Sequence, residues 1–244
     1  KRYDAKYLAN ANAAAAKADG EPTWTQASWL VKLDAKGQPT EFLRASDIGG
    51  SKEKRKTADG KGEYDFDPFV VVKEDGTIAT LDPYDDKMPV EGSLLVTREV
   101  NGIKVKSGLQ IILDSAQEHT LDEWASICGL SEKDIEEVAV ELTSHGKKAC
   151  VDIHRGVSQH TNGFYNVVSW LTVNLLLGNY DWKGGMIKAS TYDQAGGKKG
   201  QPFPVRSLNN GKQLPFGLSI IRHDAKYDQS TLFAGYPAKR NWYP

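Results

Sequence analysis

Cysteine is scarce in this sequence, and no hydrophobic run is long enough to cross a bilayer. Only Cys128 and Cys150 occur among the 244 residues. Two thiols form at most one disulfide and cannot alone hold an iron–sulfur cluster, which excludes a disulfide-stapled secreted module and a cluster-binding domain. Their surroundings, a helical and a β-rich segment, predict two buried thiols that stay unpaired. The longest apolar stretch, residues 167–177, is interrupted by polar residues and falls short of the ~20 residues of a membrane-spanning helix.

An excess of charge of either sign is also absent. Lys and Arg number 31 against 32 Asp and Glu, which gives a net charge of −1. Nucleic-acid binders usually carry a marked basic excess, so the composition argues against that class of partner. The sequence contains no Walker A loop, no GxSxG nucleophile motif and no HExxH zinc motif, so it carries none of these common catalytic fingerprints.

Shifts in composition predict four segments: a helical lead-in, a β-hairpin insertion, an α/β unit and a loop-rich extension. These are residues 1–27, 28–106, 107–189 and 190–244. Turn signals at Asp75-Gly76 and Asn101-Gly102 predict hairpins within the insertion. Residues 49–62 are strongly charged and almost without apolar side chains, which predicts a mobile solvated loop rather than a phosphate-binding patch.

The third segment has the order of elements that is typical of an α/β domain. Helix caps at Thr120 and Ser131 precede a short β-rich run, Ala149–Ile153, and a helix over Gly163–Leu177 that Gly178 ends. The expected fold is therefore a Rossmann-like parallel sheet with flanking helices, a β-hairpin insertion and a long loop-rich tail.

The loop of residues 154–163, between this strand and helix, is the clearest candidate for binding. Ligands of doubly wound sheets lie against helix N-termini, whose free N–H groups favour phosphate. Arg155 offers a bidentate donor for phosphate or carboxylate, and two glycines allow close backbone approach. The alternative is an ordinary polar turn with a helix cap. His154 and His160 lack a nearby cysteine or carboxylate cluster, so they are weak evidence for a metal site.

A longer pattern surrounds this loop in residues 147–190, KKACVDIHRGVSQHTNGFYNVVSWLTVNLLLGNYDWKGGMIKAS. Its GVSQHTNG loop, its Gly-Asn pair and its Gly-Gly pair resemble the third domain of molybdopterin oxidoreductases of the dimethyl sulfoxide reductase family. Residues 3–31 and 219–244 resemble most the branch of this family that reduces tetrathionate to thiosulfate, with arsenate-reducing members next.

The resemblance implies an enzyme whose molybdenum is held by two molybdopterin guanine dinucleotides, with an iron–sulfur cluster bound outside this stretch. The family's third domain grips one nucleotide, which would make residues 107–189 a cofactor-binding unit. The residues at matching positions are Arg155, Gly156, Ser158, Gln159, His160, Asn162, Gly163, Gly178, Asn179, Gly184, Gly185 and Ser190.

The same resemblance implies partners and a location. The partners would be the rest of the catalytic subunit, an iron–sulfur electron-transfer subunit and a membrane-anchor subunit, and the location would be the periplasm. The chain lacks the cluster-binding cysteines and the cysteine ligand to molybdenum of this branch. We therefore expect an inactive piece of a longer subunit that holds no cofactor alone. From the residues alone, a stand-alone α/β module that binds an anionic small molecule or nucleotide is the other interpretation.

Overall fold

The computed structural model describes residues 2–57, 60–152, 155–159 and 161–187, which lie in one compact unit. The α-helices described are α1 Ala5–Ala9, α2 Ala13–Ala18, α3 Gly108–Ala116, α4 Leu121–Cys128, α5 Glu132–Ser144, α6 Arg155–Ser158 and α7 Gly163–Leu177. The strands are β1 Leu30–Leu33, β2 Pro39–Phe42, β3 Glu53–Lys56, β4 Glu63–Phe66, β5 Phe69–Val72, β6 Ile78–Leu81, β7 Thr97–Val100 and β8 Ile103–Ser107. Short 3₁₀ helices cover Ala45–Ile48 and Gly146–Lys148.

The largest sheet has four antiparallel strands in the order β2-β1-β8-β7. In its centre, Val31 of β1 pairs with Lys106 of β8, so strands distant in sequence lie side by side. The hairpins β3–β4 and β5–β6 are separate two-stranded sheets and are antiparallel as well. The main apolar cluster comprises Leu30, Leu43, Val70, Val72, Val96, Val100 and Val105. Burial of these side chains is what holds the sheet and the β5–β6 hairpin together.

The expected Rossmann-like parallel sheet is wrong for the part of the chain that the structure describes. Every named sheet there is antiparallel, and the parallel pairing that occurs is an isolated bridge between Tyr180 and Met186. Residues 149–152 of the predicted strand form no strand, and Ile153 lies outside the described residues. A parallel strand needs neighbours joined by crossover connections. From residue 149 onward the described residues contain helices, turns and this one bridge, so the β-rich run has no strand to pair with.

The hairpins of the insertion follow their turn signals, with one exception. Gly76 and Gly102 adopt φ angles of 83° and 81°, and the strands on either side of each pair as predicted. The mobile loop predicted over residues 49–62 is wrong, because β3 and β4 form a hairpin there. Its stability rests on Arg55, which lies 3.7 Å over the ring of Phe66 and forms a 2.6 Å ion pair with Asp82. Paired charges therefore replace the missing apolar core of this segment.

The helix predicted over residues 3–18 is present as two short helices, α1 and α2, with a break between them. Asn12 causes the second start, because its side chain accepts the Ala15 N–H at 3.1 Å and caps α2. The same buried amide donates to the Met88 carbonyl at 2.8 Å and accepts the Val90 N–H at 3.1 Å. Asn12 thus fixes an extended segment of the insertion against the amino-terminal helices.

Both cysteines are free, as predicted, but the prediction that they are buried is wrong. Cys128 ends α4 and Cys150 follows the second 3₁₀ helix, and each thiol is exposed. The apolar residues of α4 and α5 are largely exposed as well; Ile127 and Val138 are examples. The pattern predicted burial because it did not reveal that this pair of helices packs against little else in the described part of the chain.

Lys147 joins the amino-terminal helices to the turn that follows α7. Its ammonium group lies 3.2 Å from Asp4 and 2.5 Å from Glu21, and 4.9 Å and 5.0 Å from the ring centres of Tyr7 and Trp182. Trp182 Nε1 donates to the other carboxylate oxygen of Glu21 at 3.1 Å. One half-buried cation therefore holds two acidic and two aromatic side chains together.

The phenol of Tyr7 in this cluster makes a prediction about alkaline stability. Burial, and then the charges of Glu21 and Asp4, raise the pKa of Tyr7 to about 12 from an ordinary value of 10.0. The unfolded chain loses this proton at lower pH than the folded chain does, so stability is intact below about pH 10 and falls as the pH rises towards 12. Tyr7→Phe should flatten the fall of the urea midpoint across that window. Tyr64→Phe, on an exposed tyrosine, is the control, and an unchanged slope in Tyr7→Phe would contradict the prediction.

Candidate functional site

The candidate loop lies between two helices rather than after a strand. Residues 155–158 form α6, and a turn of four residues leads into α7 at Gly163. Gly163 is buried, and a Cβ atom there would overlap the carbonyl oxygen of Ser158. A glycine at this position is therefore required by the close packing of α6 on α7.

The outer surface of this loop is polar and open to solvent. Gly156, Ser158, Gln159 and Asn162 are exposed, and a Cβ atom at Gly156 would meet no atom within 4 Å. Asn162 is the N-cap residue of α7, its side chain makes no capping hydrogen bond, and the first turn of α7 contains no acidic residue. The free N–H groups at the start of a 15-residue helix favour an anion at this position. Arg155 begins α6, which places a basic residue at the same loop.

The Gly-Asn and Gly-Gly pairs close a turn against the second 3₁₀ helix. Gly178 caps α7 with a φ of 64°, and a Cβ atom there would lie 2.9 Å from the ring of Tyr7. A Cβ atom at Gly185 would overlap the Asn179 carbonyl oxygen and would lie 2.7 Å from that of Lys147. Gly184 has a φ of 92°, which a residue with a side chain rarely adopts. Each of these glycines has a structural reason to be present, whether or not a ligand binds.

The structure divides the predicted site residues into two groups. Residues 155–163 lie at the amino-terminal end of α7, whereas residues 178–185 lie beyond its carboxyl-terminal end. Fifteen helical residues separate these ends by about 22 Å at 1.5 Å per residue. The expected convergence of both groups on one concave surface depended on a crossover to a following strand, and the described residues contain no such strand. The remaining predicted residues, His160 and Ser190, lie outside the described part, as does His154.

Two buried amides that the sequence analysis did not single out hold the approach to the loop. Asn174 of α7 accepts the Val151 N–H at 3.0 Å and donates to the Val151 carbonyl at 2.8 Å. Asn179 donates to Asn174 Oδ1 at 2.9 Å and to the Ala149 carbonyl at 2.6 Å. In the sequence, Asn174 was visible only as a polar interruption of an apolar helix. Such an interruption is a signal that a buried amide has backbone partners elsewhere.

Neither a metal site nor a membrane span is found in the described residues. No group of three or more His, Cys, Asp or Glu side chains could hold a metal ion there. Within the same part of the chain, no helix is both long and apolar enough to cross a membrane.

Comparisons with known proteins identify the chain's relatives. It is 42% identical over 244 residues to the large selenate reductase polypeptide of Mesobacillus selenatarsenatis, covering all of this chain and 22% of that protein. It is 31% identical over 252 residues to the matching tetrathionate reductase polypeptide of Archaeoglobus fulgidus, covering 99% of this chain and 20% of that protein. The tetrathionate reductase polypeptide of Salmonella typhimurium is 34% identical over 260 residues, covering 100% and 23%.

The chain is homologous to part of a molybdopterin reductase catalytic subunit. It spans about a fifth of the length of the curated relatives that it matches. No protein-family model matches it, and no solved structure matches it. The family resemblance seen in the sequence is supported at this level. The narrower assignment to the tetrathionate branch is not, because a selenate reductase subunit has the higher identity of these three relatives.

The Gly-Asn turn makes a prediction that separates packing from backbone strain. Gly178 and Gly129 both end helices in the left-handed conformation, but only Gly178 faces another residue, Tyr7. Alanine in that conformation costs about 1–2 kcal/mol at either position, and overpacking against the Tyr7 ring adds roughly 1–3 kcal/mol. Urea unfolding of the purified chain should show Gly178→Ala to be the more destabilising by that second amount. Equal losses in the two variants would show that Tyr7 does not constrain the turn.

Proposed function

We propose that this chain is the part of a molybdenum reductase catalytic subunit that contacts one of its two guanine dinucleotides. Homology along the entire chain to polypeptides of three reductases supports the proposal most directly. The same homology disfavours a stand-alone binding module, because the matching stretch is about a fifth of each larger protein. When bound, the molybdenum cofactor would supply the two-electron chemistry, and this chain would supply binding and orientation.

The chemistry of the loop fits the phosphates of such a nucleotide. Residues 155–163 include one arginine, neutral donors and no carboxylate, and the described part of the loop is exposed. Gln159 and Asn162 would donate hydrogen bonds, and the open space beside Gly156 would let a phosphate approach the backbone. The α7 N-terminus adds a positive dipole end that charged phosphate oxygens favour.

The turn of residues 178–185 is the second proposed contact. It lies about 22 Å from the loop, so one phosphate group would not reach both places. We assign the loop to the phosphates and the turn to another portion of the same extended cofactor. Gly184 and Gly185, which are exposed and half-buried, would present their backbone there. His160 and Ser190 remain proposed contacts on the strength of the sequence pattern alone.

The proposed substrate is an oxyanion. Selenate is the first candidate because the relative at 42% identity is a selenate reductase subunit. Its reduction consumes two electrons and two protons and releases selenite and water. Tetrathionate is the second candidate, because two relatives at 31% and 34% identity are tetrathionate reductase subunits. There, two electrons cleave the central sulfur–sulfur bond and release two thiosulfate ions.

The partners and the location are proposed on the same basis. The rest of the catalytic subunit would carry the metal ligand and the cluster-binding cysteines that this sequence lacks. An iron–sulfur subunit would deliver electrons, and a membrane-anchor subunit would hold the complex at the periplasmic face of the membrane.

A substrate assay with the complete catalytic subunit tests the activity. Reduced viologen would supply electrons, and its oxidation would be followed with selenate, tetrathionate and arsenate in turn. We expect the largest kcat/KM with selenate. A preference for tetrathionate would favour the second candidate, and oxidation with none of the three would contradict the proposed substrate class.

A charge reversal in the loop tests the cofactor contact. Gly156→Asp places a carboxylate in open space where we propose a phosphate, so repulsion should lower the guanine nucleotide retained per complete subunit several-fold. Gly62→Asp is the matched control, because Gly62 is also exposed and has no positive φ. Nucleotide is released with acid and quantified by chromatography, and thermal unfolding checks the fold. Full retention by Gly156→Asp would overturn the assignment of the loop.

A further inference from the structure

A single side chain of α7 takes the place of a neighbouring strand for Val151. Asn174 Oδ1 accepts the Val151 N–H, and Asn174 Nδ2 donates to the Val151 carbonyl, at 3.0 Å and 2.8 Å. Only this orientation of the amide gives both backbone groups a complementary partner. The segment before the candidate loop is therefore fixed by one amide, where a sheet would have fixed it by a row of backbone hydrogen bonds.

A second amide fixes the orientation of the first. Asn179 Nδ2 donates to Asn174 Oδ1 at 2.9 Å and to the Ala149 carbonyl at 2.6 Å. Both side chains are buried, with 3% and 0% of their residues exposed, so the hydrogen bonds form away from competing water. Gly178 brings Asn179 to this position because its left-handed conformation reverses the chain at the end of α7.

These contacts lie a short distance along the chain from the loop. Three residues separate Val151 from Arg155, which limits the span between them to about 14 Å at 3.3–3.6 Å per residue. Farther on, the Val157 carbonyl accepts a hydrogen bond from Asn166 of α7 at 3.3 Å. The polypeptide that carries the loop is thus attached to α7 on both sides of Arg155, and Asn174 makes the attachment with two hydrogen bonds.

We propose that Asn174 is a positioning residue for the nucleotide-binding loop. It touches no part of the proposed ligand; it holds residues 149–151 on α7 so that the loop reaches the cofactor in one place. The proposal rests on the proposed function of the loop. It goes beyond that function because it assigns a role in cofactor retention to a buried residue that lies outside both glycine motifs.

The chain supplies a matched control in Asn12. This amide is also buried, at 1% exposure, and it also pairs with an extended segment by donating to one backbone carbonyl and accepting one N–H. Its partners are Met88 and Val90, in the β-hairpin insertion. Asn→Asp at either position keeps the volume and removes the donor, which leaves a carbonyl facing a carboxylate.

The experiment compares Asn174→Asp, Asn174→Gln and Asn12→Asp in the complete catalytic subunit. Guanine nucleotide per subunit, the thermal midpoint, and hydrogen exchange of residues 152–163 would be measured for each variant. We expect Asn174→Asp to lower retained nucleotide at least fivefold and to speed exchange in the loop. Asn12→Asp should lower the thermal midpoint by a similar amount and keep its nucleotide. Asn174→Gln, which retains a donor and an acceptor, should recover part of the loss.

Each other result has a definite meaning. Full nucleotide retention by Asn174→Asp overturns the positioning role. Equal nucleotide loss in Asn174→Asp and Asn12→Asp, or an Asn174→Asp protein that does not fold while Asn12→Asp does, shows a general structural role and also overturns it. A wild-type protein without guanine nucleotide refutes the proposed function itself, and that result is distinct from the failure of the positioning role.

Discussion

The ammonium group of Lys147 is the contact through which the beginning and the end of the described chain meet. Glu21, whose side chain is 9% exposed, would keep only the neutral Trp182 donor among these contacts if Lys147 were lost. A charge left buried in that way is strongly destabilising. The same cluster places Tyr7 against the cap of α7, so the amino-terminal helices and the Gly-Asn turn form one packed unit. The candidate site at the other end of α7 is therefore carried by a helix that is fixed at its carboxyl end.

Helix α7 shows what the antiparallel architecture leaves unsatisfied. It is apolar around much of its circumference, a pattern typical of a helix buried on several sides. In the described structure, Phe164 and Tyr165 are nonetheless 63% and 72% exposed, and Val168 and Leu171 are exposed as well. An apolar helix after a β-rich run is the pattern that predicted a parallel sheet. The described chain contains the helix and the run but not the strands, so side-chain amides satisfy the backbone that a sheet would have paired.

Features that depend on neighbouring residues could be predicted from the sequence, and features that depend on distant ones could not. The capping box of Thr120 with Glu123 and the Asn101-Gly102 hairpin follow from a few adjacent residues, and both are present. The pairing of β1 with β8 and the ion pair of Lys147 with Glu21 join residues far apart in the chain, and no local pattern announces such contacts. The charged stretch of residues 49–62 failed for the same reason, because Asp82, which pairs with its Arg55, lies outside it.

The candidate site shows why a glycine pattern alone is weak evidence for a ligand. Gly163, Gly178 and Gly185 each face an atom that a Cβ would strike, so packing within the chain accounts for them. Gly156 faces open space and has no positive φ, so neither packing nor backbone strain accounts for it. The polar, carboxylate-free loop around Gly156 is consequently the stronger argument for an anion. The buried pair of Asn174 and Asn179 explains how that loop can be held in place on a helix without a strand beside it.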